Sequence, residues 1–215
     1  MGLPVIVVGG GGHAKVLISA IQLQGRDILG YVDADPSLPA VLGIENLGDD
    51  DVVFKHSITE IELVNGVGSA RSTRLRQSVF EKFKNRGYRF ATVVHPSAFV
   101  APGVDLEEGV QVMAGAVVQP GTRLGKNVVI NTGASVDHDC VVNCHAHIAP
   151  GVTLSGAVYV GAGSQIGTGA SIIQGIKIGP QSIVGAGAVV IHDVPEAVTV
   201  VGVPAAALER RAAAG

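Results

Sequence analysis

The residues best able to do chemistry fall in one short run, Ser135-Val136-Asp137-His138-Asp139-Cys140, with His147 a little further on. A histidine with a pKa near about 6.5 suits a base that must take a proton from an attacking group at neutral pH. A carboxylate on the other ring nitrogen would fix the tautomer and stabilise the charged form. Asp137 and Asp139 both stand close enough in sequence to do this, so His138 is the candidate base. No Ser or Cys nucleophile is needed if the attacking group reacts directly. Two plainer readings compete. His138 and His147 could be ordinary surface histidines, with His145 another. Cys140, Cys144, His145 and His147 could be read as zinc ligands.

What must position His138 is a repeat. From Val94 to Val190, seventeen consecutive positions at six-residue spacing are all Leu, Ile or Val. The fifth residue of each six is small or β-branched, as in Ala98, Val104, Ala116 and Cys140. Gly is frequent at the second and fourth places. Neither a helical nor a simple alternating period explains this pattern. A hexapeptide period means a short flat strand followed by a tight turn. Three strands make one triangular coil of 18 residues, and the span holds roughly five coils. Each aliphatic residue points inward and stacks on its equivalent about 4.8 Å along the axis. That explains a core with 4% aromatics and no Trp.

The repeat also sorts the candidates. Cys140 falls at an inward fifth place and Cys144 at an outward third place on a different face, which argues against zinc. His138 is at an outward third place. One coil later stands Gly156, whose missing side chain predicts space beside His138 for a flat group such as a thioester. Its backbone N–H would be available to a developing oxyanion.

The N-terminal part reads differently. Residues 4–8 form a buried strand, and Gly9-Gly10-Gly11-Gly12-His13-Ala14-Lys15-Val16 follows. A helix is expected over 16–24 and a second strand over 28–32, ending at Asp33. Strand, glycine turn, helix, strand and acid is the arrangement that places phosphates at a helix N-terminus. Gly9, Gly11 and Ala14 fit the G-x-G-x-x-G/A spacing. A third strand is expected over 60–67, closing at Gly68-Ser69, with a helix over 73–85 and Arg71, Arg74 and Arg76 near its start. Residues 1–93 thus read as a small βαβαβ, Rossmann-like α/β domain, and 94–215 as a parallel β-helix with a short C-terminal tail. The first part is too short for a full dinucleotide domain, so a mononucleotide or nucleotide sugar fits better than NAD.

The bulk numbers exclude other classes. A net charge of −3 predicts no broad basic surface for nucleic acid. No stretch reaches the roughly 18 uncharged apolar residues of a membrane span. The start lacks a basic segment before its apolar run, so a cytoplasmic protein is expected. Two cysteines argue against a disulfide scaffold.

With the G-G-G-G-H run, the acid after the second strand, His95-Pro96-Ser97, N-T-G-A-S-V-D-H-D-C, His147-Ile148-Ala149-Pro150-Gly151 and the closing Val201-Gly202-Val203-Pro204-Ala205, nearly the whole chain resembles the NeuD/PglD-type sugar acyltransferases. That resemblance implies a left-handed β-helix, a homotrimer with active sites between subunits, and acetyl-CoA as cosubstrate without a metal. It implies a cytoplasmic enzyme of O-antigen or other glycan biosynthesis that N-acetylates a nucleotide-linked 4-amino-4,6-dideoxy sugar of the GDP-perosamine or UDP-bacillosamine-precursor type. O-acetylation of a sugar hydroxyl, as in the sialic-acid relatives, is the alternative. By the same resemblance His138 is the base and Asp139 its orienting partner. His147, Gly156, Gly185, Ala186, Val203 and Pro204 match positions lining acetyl-CoA. Gly9, Gly11, Gly12, His13 and Gly68 would face the sugar and its diphosphate, and Asp33 and Asp35 the nucleotide.

Overall fold

The computed structural model describes residues 2–69 and 72–208, so Arg71 and the end of the expected tail lie outside the described residues. The chain begins with three parallel strands, β1 (Val5–Val8), β2 (Ile28–Val32) and β3 (Glu62–Asn65), in the order β2-β1-β3. Val5, Ile6 and Val7 are fully buried, as expected for a strand covered on both faces. Helix α1 (Gly12–Leu23) packs Ala14, Leu17, Ile18 and Ile21 on one side. Helix α2 (Arg74–Lys84) and a 3₁₀ turn at Asp50–Lys55 cover the other with Phe80, Phe83 and Val53.

Helix α1 starts four residues before the expected 16–24 helix. Gly11 is extended and acts as its N-cap, so His13 and Lys15 belong to the first turn rather than to the glycine loop. The 3₁₀ turn was not expected. Asp49 caps it by accepting from the Asp51 N–H, a local bond that a search for apolar periodicity does not see.

From Val93 the chain winds as a three-sided parallel β-helix of two-residue strands. Residues 18 apart pair along each wall, as Val129 does with Gln111 and His147. The walls have eight, six and five strands, which makes about six coils where five were expected. The difference comes from the end: Val184 pairs with Val200, 16 residues on, so the last coil closes with two residues fewer. Ile130, Ile148, Ile166 and Val184 form one inward column with no exposure. Each such side chain contributes about 1.5–3 kcal/mol when fully buried.

The turns explain the glycines. The fourth place of every six, from Gly103 to Gly187, has φ between 56° and 83°. Ten of these fifteen places hold Gly, and the others are Asn127, Asp139, His145, Ala157 and Gln181. Glycine takes this conformation without steric cost, and Asn, Asp and His tolerate it better than most residues. The N-terminal layer sits on the first wall. Val93 and Met113 join the core beneath α1, and Thr73 donates to the Gly163 carbonyl at 2.8 Å.

Candidate active site

Asp139 owes its position to the turn. At a left-handed fourth place, φ 58°, its carboxylate folds back on its neighbour, and Oδ2 lies 2.8 Å from His138 Nδ1. Asp137 instead accepts from the His138 backbone N–H at 2.7 Å. The sequence left the choice between the two acids open; the geometry puts Asp139 on the ring. The His138 pKa is raised, chiefly by this hydrogen bond, with burial opposing it and the charges of Asp137 and Asp139 adding to it. Cys140 points inward as expected, with its thiol toward the Ser155 carbonyl.

Gly156 is beside His138, but the space it leaves is not vacant. A β-carbon there would lie 2.5 Å from Nε2, so the imidazole itself fills the notch. The expected gap for a thioester is therefore taken by the base. The glycine lets the ring approach the next coil, with the His138 side chain half-exposed.

A second group of candidates meets elsewhere. A cavity of about 860 Å³ lies between the start of α1 and the first wall. Gly12, His13, Gly68, His147, Gly185 and Ala186 all line it. The His13 and His147 ring centres are 6.5 Å apart. Burial is the main cause that lowers both pKa values, to about 4 for His13 and about 3 for His147. The Arg76 guanidinium adds to both shifts, and His13 adds to that of His147. Both rings are therefore neutral at neutral pH. His147 Nε2 lies 3.3 Å from the Asn131 amide nitrogen, and its Nδ1 is buried without a partner among the described residues.

The glycine turn divides by role. Gly9 has φ +101° and packs on Gly66 and Val67, so it is required by the fold itself. Around Gly11 and Gly12 a β-carbon would meet nothing within 4 Å, which leaves room for a ligand to approach the backbone. Asp33 accepts from the Gly10 and Asp35 N–H groups and so ties this turn to the loop after β2, while Asp35 accepts from Ser37 within that loop. Val203 and Pro204 are exposed at the end of the β-helix and do not line the cavity.

His138 is not part of that cavity. It follows the second wall, at the corner leading to the third, whereas His147 lies on the first. One chain thus carries the two halves on different edges.

Gln111 was not singled out by the sequence, although it stands on the same wall as His147. Gln111 and His147 share one outward column of the first wall, with Val129 between them. All three are buried under the N-terminal layer, although equivalent places on the other walls, such as Phe99 and Tyr159, are exposed. Polar and apolar residues mix in this column as they do on the other walls, so spacing alone carried no signal for Gln111. His145, expected at the surface, is mostly buried. It meets the Phe80 ring edge-on and lies 3.0 Å from the Asn127 amide nitrogen. Among the described residues no group of three or more His, Cys, Asp or Glu side chains could hold a metal ion.

A hexapeptide β-helix joined to a glycine turn at a helix start, with a carboxylate-oriented histidine on one corner, defines a β-helix acyltransferase. The comparisons with known proteins make this specific. Residues 4–83 match the PglD N-terminal domain model. Perosamine N-acetyltransferase from Caulobacter crescentus, solved with CoA and GDP-perosamine, is 40% identical with a TM-score of 0.91, over 96% of this chain and 97% of that one. The acetyltransferase domain of PglB from Neisseria gonorrhoeae, solved with acetyl coenzyme A, is 36% identical with a TM-score of 0.91, over 96% and 100%. WeeI from Acinetobacter baumannii is 25% identical with a TM-score of 0.86, over the same shares. No curated protein matches the chain. The chain belongs to the NeuD/PglD-type family and is an acetyl-CoA-dependent sugar acetyltransferase. No helix among the described residues is long and apolar enough to cross a membrane.

Proposed function

We propose that the protein transfers the acetyl group of acetyl-CoA to the 4-amino group of a nucleotide-linked 4-amino-4,6-dideoxy sugar, and that it does so as a homotrimer with each site between two subunits. The observation that carries this reading is the separation of His138 from the cavity holding His13 and His147. A proton acceptor on one corner and a ligand cavity on another serve one reaction when a neighbouring copy brings them together. The relative solved with GDP-perosamine supports the substrate class, and a UDP-linked precursor of bacillosamine type fits the same chemistry.

In this reading the sugar diphosphate lies against the backbone of Gly11 and Gly12 at the start of α1, where helix N–H groups favour anions. CoA runs along the β-helix past Gly185 and Ala186 toward the Val203-Pro204 end. The neutral amine attacks the thioester carbonyl directly. The N–C bond forms, the C–S bond breaks, His138 takes the proton lost by nitrogen, and the CoA thiolate leaves and is then protonated. Asp139 stabilises the imidazolium as it forms.

Purified protein mixed with acetyl-CoA and a panel of GDP- and UDP-linked amino sugars should release free thiol with at least one 4-amino sugar. Release only with sugars that carry hydroxyls and no amine would replace this reading with O-acetylation. The shared site has its own test. Chains carrying His138→Ala, co-expressed with chains carrying His13→Ala, should regain activity that neither variant has alone. No recovery in mixed oligomers would place the whole site within one chain.

A further inference from the structure

The side chain of Gln111 is fully buried between the N-terminal layer and the β-helix, and its two ends are distinguishable by their partners. Nε2 lies 2.9 Å from the Asn65 carbonyl oxygen. A backbone carbonyl only accepts, so the end of Gln111 that faces it must be the NH₂ group. The other end, Oε1, then lies 2.8 Å from His13 Nε2. An amide oxygen also only accepts, so His13 must carry its proton on Nε2. The same Asn65 carbonyl accepts from Arg76 Nη1 at 2.8 Å, so both of its lone pairs are used. Arg76 also donates to Val67 at 3.0 Å, and the Asn65 side chain accepts from the Val67 N–H. The Asn65 amide donates to the Arg76 carbonyl and to Asn127 of the β-helix. The whole arrangement is therefore braced from α2, β3 and the first wall at once.

With its proton on Nε2, neutral His13 presents a lone pair on Nδ1. Among the described residues none is bonded to Nδ1. His13 is one of the residues that line the cavity at the start of α1.

We infer that Gln111 is a positioning residue that locks His13 in the Nε2–H tautomer, so that His13 Nδ1 accepts a hydrogen bond from the N–H of the sugar amine and turns the nitrogen lone pair toward the thioester. The tautomer stands on this geometry alone; the role of the lone pair rests on the acetyltransferase reading above. Arg76 and His147 are the charged or titratable groups felt by the ring, and burial beside Arg76 keeps it neutral.

The test has an arm that needs no substrate. Long-range ¹H–¹⁵N spectra of the ¹⁵N-histidine-labelled protein, with His13 assigned by comparison with His13→Gln, should show a neutral Nε2–H ring at pH 7. A neutral Nδ1–H ring or a charged ring overturns the proposal, whatever the enzyme acetylates. Gln111→Met removes both hydrogen bonds at similar volume. It should give a mixture of tautomers and lower kcat by roughly ten- to a hundredfold, within what a positioned proton acceptor is worth. KM for acetyl-CoA should stay unchanged. If Gln111→Met unfolds, the wild-type spectrum still decides the tautomer. A locked tautomer together with an unchanged kcat in a folded Gln111→Met variant would overturn the catalytic half and leave the acetyltransferase reading standing.

Discussion

The imidazole of His138 stands where residue 156 would carry its side chain: a β-carbon built on Gly156 lies 2.5 Å from Nε2 and 2.6 Å from Cε1. Real β-carbons do not approach that closely. Gly156→Ala therefore has to turn the ring, which is held at its other nitrogen by Asp139. The backbone at 156 is not in the left-handed region, so alanine fits the turn itself. We expect kcat to fall by roughly a hundredfold, the scale of a 1 Å misplacement of a reacting group. Thermal stability should barely move. Steady-state kinetics with an intact melting curve checks this, and an unchanged kcat would mean that the position of His138 does not matter.

Asp139 raises the His138 pKa by stabilising the imidazolium. A base works only while unprotonated, so activity should fall as pH drops through that raised pKa. Asp139→Asn removes the stabilising charge, and the pKa moves down toward the ordinary histidine value. The acid limb of the kcat/KM profile should shift to lower pH, while the plateau falls because the imidazolium formed in the reaction loses its partner. Profiles of the two enzymes, measured at constant ionic strength, would contradict this if the acid limb stayed put.

The glycine turn gives a paired prediction. A β-carbon on Gly10 would lie 2.5 Å from the Tyr31 ring, and that ring is buried with its hydroxyl bonded to the Leu38 and Pro39 carbonyls. Gly10→Ala should cost about 1–3 kcal/mol by overpacking. Its melting point should drop by several degrees. Gly11→Ala meets nothing within 4 Å and should melt near the parent temperature. It should instead raise KM for the nucleotide sugar, because the added methyl occupies the approach to the helix start. Equal effects of both variants on stability would erase the distinction between fold glycine and site glycine.

The β-helix was legible because its period is enforced at every coil: one aliphatic residue must point inward, and one turn residue must accept φ near +60°. His138 and Gly156 could be paired on paper because 18 residues make one coil. What spacing could not supply was the direction of the ring, which fills the notch that the missing side chain leaves. Asp139 was one of two acids with equal claims until the left-handed turn aimed it. Gln111 and Asn65 escaped entirely, and Arg76 was seen only as one of three arginines near a helix start. Their roles depend on which wall the N-terminal layer covers, and an outward residue on that wall looks in sequence like any other outward residue. The expected helix began late for a local reason: four glycines read as a loop, but only the first two are held in place, by contacts with Gly66, Val67 and Tyr31, and Gly12 is already helical.

The buried histidine pair makes stability depend on pH in a defined direction. An unfolded histidine titrates near about 6.5, whereas His13 and His147 in the fold titrate near 4 and near 3. Between those values the unfolded chain binds protons that the folded chain refuses, so stability rises with pH across the window. The contribution is fully present above about 6.5 and is lost as pH falls from there through about 4, and further toward 3. Melting temperature should therefore decline steeply from pH 6.5 to pH 4. His13→Gln, whose amide cannot be protonated in that window, should flatten the part of the decline above pH 4. Arg76→Met should raise the folded pKa of both rings by removing a nearby positive charge, and so also flatten the slope, even though the loss of its bonds to Asn65 and Val67 lowers stability at pH 7. Thermal unfolding of the three proteins from pH 4 to pH 8 separates these effects. Parallel curves for the parent and His13→Gln would mean that the His13 ring is solvated in the native state and is not held neutral beneath the N-terminal layer.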